Sequence, residues 1–385
     1  MLLYCCPYKS KKIESEMMLT PFARPFYMMA KPVGATCNLA CRYCYYLDKQ
    51  QLYAGEDRRV MSDEVLELFV AQYIECQPNR EVLFTWHGGE PLLLPQSFYE
   101  KAMRLQQRYA RGRHIDNCLQ TNGTLLTDEW CRFFHDNGWL IGISIDGPEQ
   151  LHDCNRKNRQ GLPSWKQVMQ GIERLEKYGV MWNALCTVNS QNAEHPEELY
   201  AFFRDRGCQF LQLTPVGGDV TAEQWGRFLC RLFDEWSKAD VGRVFVNIFE
   251  ATLANYMGVT PGICAMSALC GHVGVVEWNG DVYSCDHFVY PQHKLGNLRH
   301  QTLCEMMLSE QQQAFARQKH GALPQQCREC QWLFACHGEC PRNRTAVTAD
   351  GEPGLNYLCQ GYKTFFEHTE SFMKTMRNEL NKEER

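Results

Sequence analysis

Nowhere in its 385 residues does the sequence hold a long apolar run. A membrane-spanning helix would need roughly 18 consecutive apolar residues. It has no lysine or arginine run either. With 40 basic against 45 acidic residues the formal net charge is −5, which leaves no basic footprint for a nucleic acid. A secretory signal puts charge before its apolar core, and here Met1-Leu2-Leu3-Tyr4-Cys5-Cys6 comes before Lys9, Lys11 and Lys12. The segment before about Thr20 therefore reads as a tail, with Met17 or Met18 as an alternative start. These absences lead us to expect a cytoplasmic protein with no membrane and no nucleic-acid partner. At 44% hydrophobic and 22% charged the composition is that of an ordinary globular chain, long enough for one large domain and a smaller one.

Cysteine is what the chain has in excess. Disulfide-dense scaffolds are usually small and secreted, whereas this chain is large, so its 21 cysteines point to a reducing compartment and metal-bound thiolates. Near the start, Cys37-x3-Cys41-x2-Cys44 puts three thiols in one short loop, with Tyr43 just before the last. A structural zinc site closes with four ligands, and so does a four-iron, four-sulfur cube that only carries electrons. Three ligands leave one iron open to a small molecule; the alternative is a zinc site that borrows a remote fourth ligand. Eight further cysteines read Cys264-x5-Cys270-x14-Cys285 and Cys327-x2-Cys330-x5-Cys336-x3-Cys340-x18-Cys359. They suffice for two complete four-ligand sites, as cubes or as zinc ribbons.

From Phe26 to about Pro215 apolar runs alternate with amphipathic stretches. Strands are expected at Phe26–Ala30, Val82–Trp86, Ile115–Leu119, Leu140–Ile145, Trp182–Val188 and Phe210–Leu213. Helices are expected near 62–75, 96–110, 127–137, 164–178 and 196–206. Six strand-then-helix units imply an α/β fold with a parallel sheet, open or curled into a partial barrel. Function in such folds gathers at the carboxyl ends of the strands. The polar and glycine-rich pieces fall there: the Cys37 loop, His87-Gly88-Gly89-Glu90-Pro91, Gln120-Thr121-Asn122-Gly123-Thr124, and Ser144 leading to Asp146-Gly147-Pro148. Beyond Leu213 the pattern changes to two amphipathic stretches (221–238 and 244–257), short strand-like pieces (Val273–Glu277, Asp281–Ser284) and a charged amphipathic helix from Tyr362. The expected organisation is a tail over 1–25, an α/β domain over 26–245 and a cysteine-rich domain over 246–385. The remaining cysteines (Cys5, Cys6, Cys76, Cys118, Cys131, Cys154, Cys186, Cys208, Cys230, Cys304) read as small buried hydrophobes or tail residues.

The triplet Cys37, Cys41, Cys44 with Tyr43 resembles the signature of the radical S-adenosylmethionine enzymes, which have a partial (β/α)6 TIM-type barrel. By that resemblance the open iron binds the cofactor's amino and carboxylate groups, and one electron splits it to an adenosyl radical. Gly88, Gly89 and Glu90 match the family's GGE motif beside the amino group, Ser144 and Arg156 its carboxylate and ribose side, and Tyr43 would lie along the adenine. Ser144 by itself would read as a strand hydroxyl satisfied by backbone. The C-terminal cysteines resemble the SPASM extension of peptide-modifying radical enzymes. The resemblance, not the spacing, assigns Cys264, Cys270, Cys285 and Cys340 to one auxiliary cluster and Cys327, Cys330, Cys336 and Cys359 to another, three four-iron, four-sulfur clusters in all.

The run Asn279-Gly280-Asp281-Val282-Tyr283-Ser284-Cys285-Asp286 resembles the anaerobic sulfatase-maturating enzymes. So do Leu119–Leu125, Ser144–Pro148 and Asn356-Tyr357-Leu358-Cys359, and the likeness covers the chain from about residue 26. It implies oxidation of a Cys or Ser side chain in a sulfatase Cys/Ser-x-Pro-x-Arg segment to Cα-formylglycine, with Asp286 as base. It also implies an electron donor such as flavodoxin or ferredoxin; the chain is expected to be a monomer. Around Thr214–Asp219 the chain is more compact than relatives that carry an insertion there. The alternatives are the same machinery acting on another peptide, as in thioether formation, and a non-catalytic iron–sulfur carrier or zinc-binding interaction protein.

Overall fold

The computed structural model describes residues 25–53 and 59–383. The tail expected before about Thr20, with Cys5 and Cys6, lies outside them. Six parallel strands run in sequence order side by side: β1 (Tyr27–Lys31), β2 (Glu81–Trp86), β3 (His114–Thr121), β4 (Leu140–Ser144), β5 (Trp182–Val188) and β6 (Phe210–Pro215). Each expected strand is present, shifted by a few residues at its ends. The returning helices are α1 (Asp63–Cys76), α2 (Gln96–Tyr109), α3 (Asp128–Asp136), the short α4 (Glu149–Asp153) with α5 (Trp165–Lys177), and α6 (Pro196–Asp205). Ser62 starts α1 by accepting from Val65 N at 3.2 Å, a side-chain cap for one of the orphan amides of a helix end.

The sheet continues on both sides. After α7 (Ala222–Ala239), β7 (Phe245–Val246) pairs with β6. α8 (Asn247–Met257) then leads to β8 (Val273–Glu277), which lies parallel to β1 with Lys31 opposite Glu277. β9 (Asp281–Tyr283) and β10 (Lys294–Asn297) complete an antiparallel edge, so the order is β10-β9-β8-β1-β2-β3-β4-β5-β6-β7. The two ends are not paired with each other, and the barrel is partial. The cysteine-rich segment thus joins the sheet beside the first strand and brings Asp286 against Lys31 of β1 and Tyr45 of the Cys37 loop.

Behind β10 come α9 (Leu303–Met307), α10 (Glu310–Gly321), α11 (Gln325–Arg328), α12 (Leu333–Cys336) and the long α13 (Cys359–Glu383), which packs on α7. The outer faces of the strands (Phe84, Trp86, Ile141, Ile143) meet fully buried helix residues such as Phe69, Tyr99 and Phe134 in one aromatic-rich core. A second, smaller apolar cluster of Met29, Tyr46, Val273, Val275, Tyr283 and Val289 underlies the cysteine loops.

Candidate active site

The loop after β1 holds the first thiols and leans on its neighbours' backbones. Gly89 N donates to Gly34 O at 2.7 Å and Glu90 N to Thr36 O at 2.8 Å. A Cβ on Gly89 would stand 2.0 Å from the Thr36 carbonyl oxygen. Gly88 takes φ 137°, open to glycine only. The GGE glycines therefore serve first to press two loops together. Glu90 is fully buried, and its oxygens accept from Leu92 N, Thr121 Oγ1 and Asn122 N at 3.0, 2.7 and 2.8 Å. It ties the loops after β2 and β3 into one rim. Asn122 Nδ2 reaches Cys37 Sγ at 3.7 Å, and Leu39 N donates to the same sulfur at 3.3 Å.

From the other side, Ala40 N donates to Lys157 O and Arg42 N to Asn155 O, at 2.8 and 2.9 Å. This brings Arg156 beneath Cys41. Its guanidinium forks onto Asp146 (2.9 and 3.0 Å) and donates to Thr187 Oγ1 at 3.2 Å, and Tyr43 OH donates to the same aspartate. The guanidinium carbon lies 5.5 Å from the Tyr43 ring centre. Arg156 and Tyr43 thus meet through Asp146, a residue that the sequence showed only as part of a strand-end motif. Ser144 ends β4, half-buried, opposite Leu185.

Asp286 lies where the two cysteine regions touch. Tyr45, the residue after Cys44, donates its hydroxyl to Asp286, the residue after Cys285. On the other side the Lys31 ammonium stands 2.7 Å from Asp286 Oδ1, with the lysine side chain fully buried. Burial alone would push this carboxyl up; Lys31, then His87 and His287, overrule it and hold the pKa well below the usual range. His87 Nδ1 accepts from Lys31 Nζ at 2.8 Å and from Gly88 N at 2.7 Å, and burial with the Lys31 charge lowers its pKa to about 3. A neutral imidazole protonated at Nε2 fits those donors. Tyr46 OH donates to Glu277, the β8 partner of Lys31, whose carboxyl burial pushes up to about 7.

Lys31, Tyr45, His87 and Asp146 are the site residues that sequence reasoning missed. One signal was there: a lysine closing an otherwise apolar strand just before the cysteine loop.

The remaining thiols separate into two groups. Cys264, Cys270, Cys285 and Cys340 act electrostatically on one another, and so do Cys327, Cys330, Cys336 and Cys359. The second group lines one cavity together with Trp332 and Phe366. Among the described residues no three His, Cys, Asp or Glu side chains converge on the point a single metal ion would occupy. Four thiols lining one cavity are the donor set that a four-iron cluster takes. In the first loop, burial pushes Cys37 and Cys41 up to about 12 and about 11; a metal centre would hold them as thiolates.

Of the other cysteines, Cys118, Cys131, Cys186 and Cys208 are buried as expected. Cys154 is instead exposed, on the turn after α4, and Cys76 and Cys304 are joined as a disulfide with Cα atoms 5.6 Å apart, linking α1 to α9.

Known proteins share both halves of this arrangement. The family model of the radical SAM superfamily matches residues 32–203, and that of an iron–sulfur cluster-binding domain, SPASM, matches residues 268–331. A serine-type anaerobic sulfatase-maturating enzyme of Bacteroides thetaiotaomicron is 56% identical over 94% of this chain and 93% of its own length. A cysteine-type enzyme of Clostridium perfringens is 33% identical over 89% of this chain and 96% of its own. The solved structure of native anSMEcpe with bound AdoMet and Cp18Cys peptide superposes with a TM-score of 0.85 at 32% identity, covering 93% of this chain and all of that one.

Proposed function

The chain belongs to the anaerobic sulfatase-maturating enzymes of the radical SAM superfamily, and from that premise we propose how its residues divide the work. The enzyme oxidises a Cys or Ser side chain of a sulfatase segment to Cα-formylglycine, using S-adenosylmethionine and iron–sulfur clusters. When bound, these cofactors supply a radical that removes a Cβ hydrogen atom and a sink for the remaining electron.

Cys37, Cys41 and Cys44 hold the cluster that binds S-adenosylmethionine. Gly88, Gly89, Glu90, Ser144, Arg156 and Tyr43 frame that cofactor, the glycines and Glu90 by fixing the loops, Arg156 and Tyr43 through Asp146. Cys264, Cys270, Cys285 and Cys340 hold one auxiliary cluster, and Cys327, Cys330, Cys336 and Cys359 the other. The barrel spans 26–245 and the auxiliary domain 246–385. A flavodoxin or ferredoxin is the electron donor and the enzyme a cytoplasmic monomer; among the described residues no helix is long and apolar enough to cross a membrane.

Asp286 accepts the proton that the substrate hydroxyl or thiol gives up. The observation that carries this is its position: one residue after Cys285, and bonded to the residue after Cys44. Lys31 keeps the carboxylate ionised, and the same ion pair makes it a weak base. An intact serine hydroxyl is too poor an acid for it. Once Cβ has lost its hydrogen atom, the hydroxyl on the carbon radical is far more acidic, and only then does Asp286 take its proton. The order of the two losses follows from the pairing.

Serine is the preferred substrate residue, on the strength of the 56% identity to a serine-type enzyme. The test is anaerobic incubation of the reconstituted enzyme with reductant, S-adenosylmethionine and matched Ser-x-Pro-x-Arg and Cys-x-Pro-x-Arg peptides. Loss of two hydrogens from the seryl peptide, outpacing loss of two hydrogens together with exchange of sulfur for oxygen in the cysteinyl one, is expected. Turnover of the cysteinyl peptide alone would overturn the serine assignment. Deoxyadenosine formation with neither peptide changed would overturn the Cys/Ser-x-Pro-x-Arg substrate.

A further inference from the structure

The two auxiliary cysteine sets are joined by a short link, His337-Gly338-Glu339, with Cys336 of one set before it and Cys340 of the other after it. All three link residues have left-handed backbone, with φ of 48°, 71° and 53°. Glycine adopts this freely; for His337 and Glu339 it is strained, so the surroundings must impose it.

Arg344 imposes it. Its Nε donates to Gly338 O at 2.9 Å, and its Nη2 to His337 O at 3.1 Å and Glu339 O at 3.3 Å, while Nη1 donates to Lys319 O at 2.6 Å. Three successive carbonyls are gathered by one planar fork, a pattern an ammonium cannot reproduce. The fit leaves no room at the centre: a Cβ on Gly338 would lie 2.7 Å from Arg344 Nη2 and 2.3 Å from Leu323 Cδ2. Glu339 is held from below, its Oε2 accepting from Asn343 and Asn356 at 2.9 and 2.8 Å. Lys319, almost wholly buried, donates to the carbonyls of Cys264 and Ala265 at 2.7 and 2.8 Å. The Arg344 charge acts on thiols of both sets, on Cys327 in one and on Cys270 and Cys340 in the other.

We propose that Arg344 is a positioning residue for electron exit in the maturation reaction: it fixes the link that spaces the two auxiliary clusters and places one positive charge between them. The inference rests on the assignment of these eight cysteines to two clusters. Formylglycine formation leaves one electron to be removed from the substrate, and the clusters these two thiol sets would hold would supply a path for it from one site to the other. A fixed cation between the sites favours the added negative charge at each, so both become easier to reduce.

The test uses the full-length enzyme with its clusters reconstituted, and the variants Arg344→Met and Arg344→Lys. Reduction potentials come from titrations followed by electron paramagnetic resonance, inter-cluster coupling from spin relaxation, and iron content and deoxyadenosine formation are measured alongside. Arg344→Met is expected to shift both auxiliary potentials negative and to lower the formylglycine made per deoxyadenosine several-fold, with deoxyadenosine formation itself unchanged. Arg344→Lys keeps the charge but not the fork, so its potentials stay near wild type while the coupling between clusters changes. Wild-type potentials and coupling in both variants would overturn the role. Should Arg344→Met fail to retain its auxiliary clusters, Arg344→Lys decides, and unaltered coupling there overturns it. A wild-type enzyme with no auxiliary clusters by iron content and resonance would instead overturn the two-cluster assignment and the inference with it.

Discussion

Lys31 is the least expected residue of the site, a fully buried ammonium that meets Asp286 at 2.7 Å and His87 at 2.8 Å. Breaking a buried pair by removing one partner strands the other, at a cost of about 3–5 kcal/mol. Lys31→Met should therefore lower the melting temperature clearly. In an Asp286→Asn background the same change should cost less, because no carboxylate is left stranded. Strictly additive losses would show that the pair is not energetically coupled. Asp286→Asn alone should still form deoxyadenosine but make formylglycine at least about 100-fold more slowly, the low end of what a positioned base contributes. Undiminished formylglycine from that variant would remove Asp286 from the mechanism.

Between elements, two glycine contacts carry the geometry. The Gly89 backbone lies against Thr36, and a methyl there would meet a carbonyl at 2.0 Å. Gly89→Ala should displace the Cys37 loop, so that the first cluster's resonance spectrum and S-adenosylmethionine cleavage are lost together while the auxiliary signals remain. Retained cleavage would mean the loop yields without harm. Where α13 crosses α7, Gly361 faces Ala222 and Gly226 so closely that an added Cβ would stand 2.2 Å from Ala222 O. Gly361→Ala is expected to cost about 1–3 kcal/mol through overpacking, read as a lower melting temperature. Because α13 begins at Cys359, the second auxiliary cluster should be disturbed with it.

For the whole molecule, pH enters stability through desolvated carboxyls. Glu250, on α8, is half-buried, and loss of water around it pushes its carboxyl from 4.5 up to about 7. A carboxyl whose pKa is raised on folding favours the protonated folded state. Its contribution is complete below about 4.5 and is lost as pH rises through about 7. Glu250→Gln should match wild type near the acidic end of that window and melt higher above its upper end. A constant difference across the window would assign the effect to packing instead of ionisation. Reconstituted enzyme should also contain iron and sulfide for three four-iron cubes; zinc in their place would contradict the radical chemistry.

The sequence by itself marked the candidate metal-binding thiols and determined the order of the chain. Cluster thiols must sit at fixed short spacings within loops, and β/α alternation writes its period into the text, so Cys37-Cys41-Cys44, the six strands and the run to Asp286 were all legible. The tertiary structure decided which residues meet across the sheet. β8 pairs with β1 and so brings Glu277 beside Lys31 and Asp286 beside Tyr45, although Tyr45 and Asp286 lie 241 positions apart in the chain. The eight C-terminal thiols interleave for the same reason. Spacing constrains only ligands within one loop, whereas a site shared between loops is set by how those loops pack. Lys31 and Asp146 carried no assigned role in the sequence, because a charge declares its role only once its partner is in place.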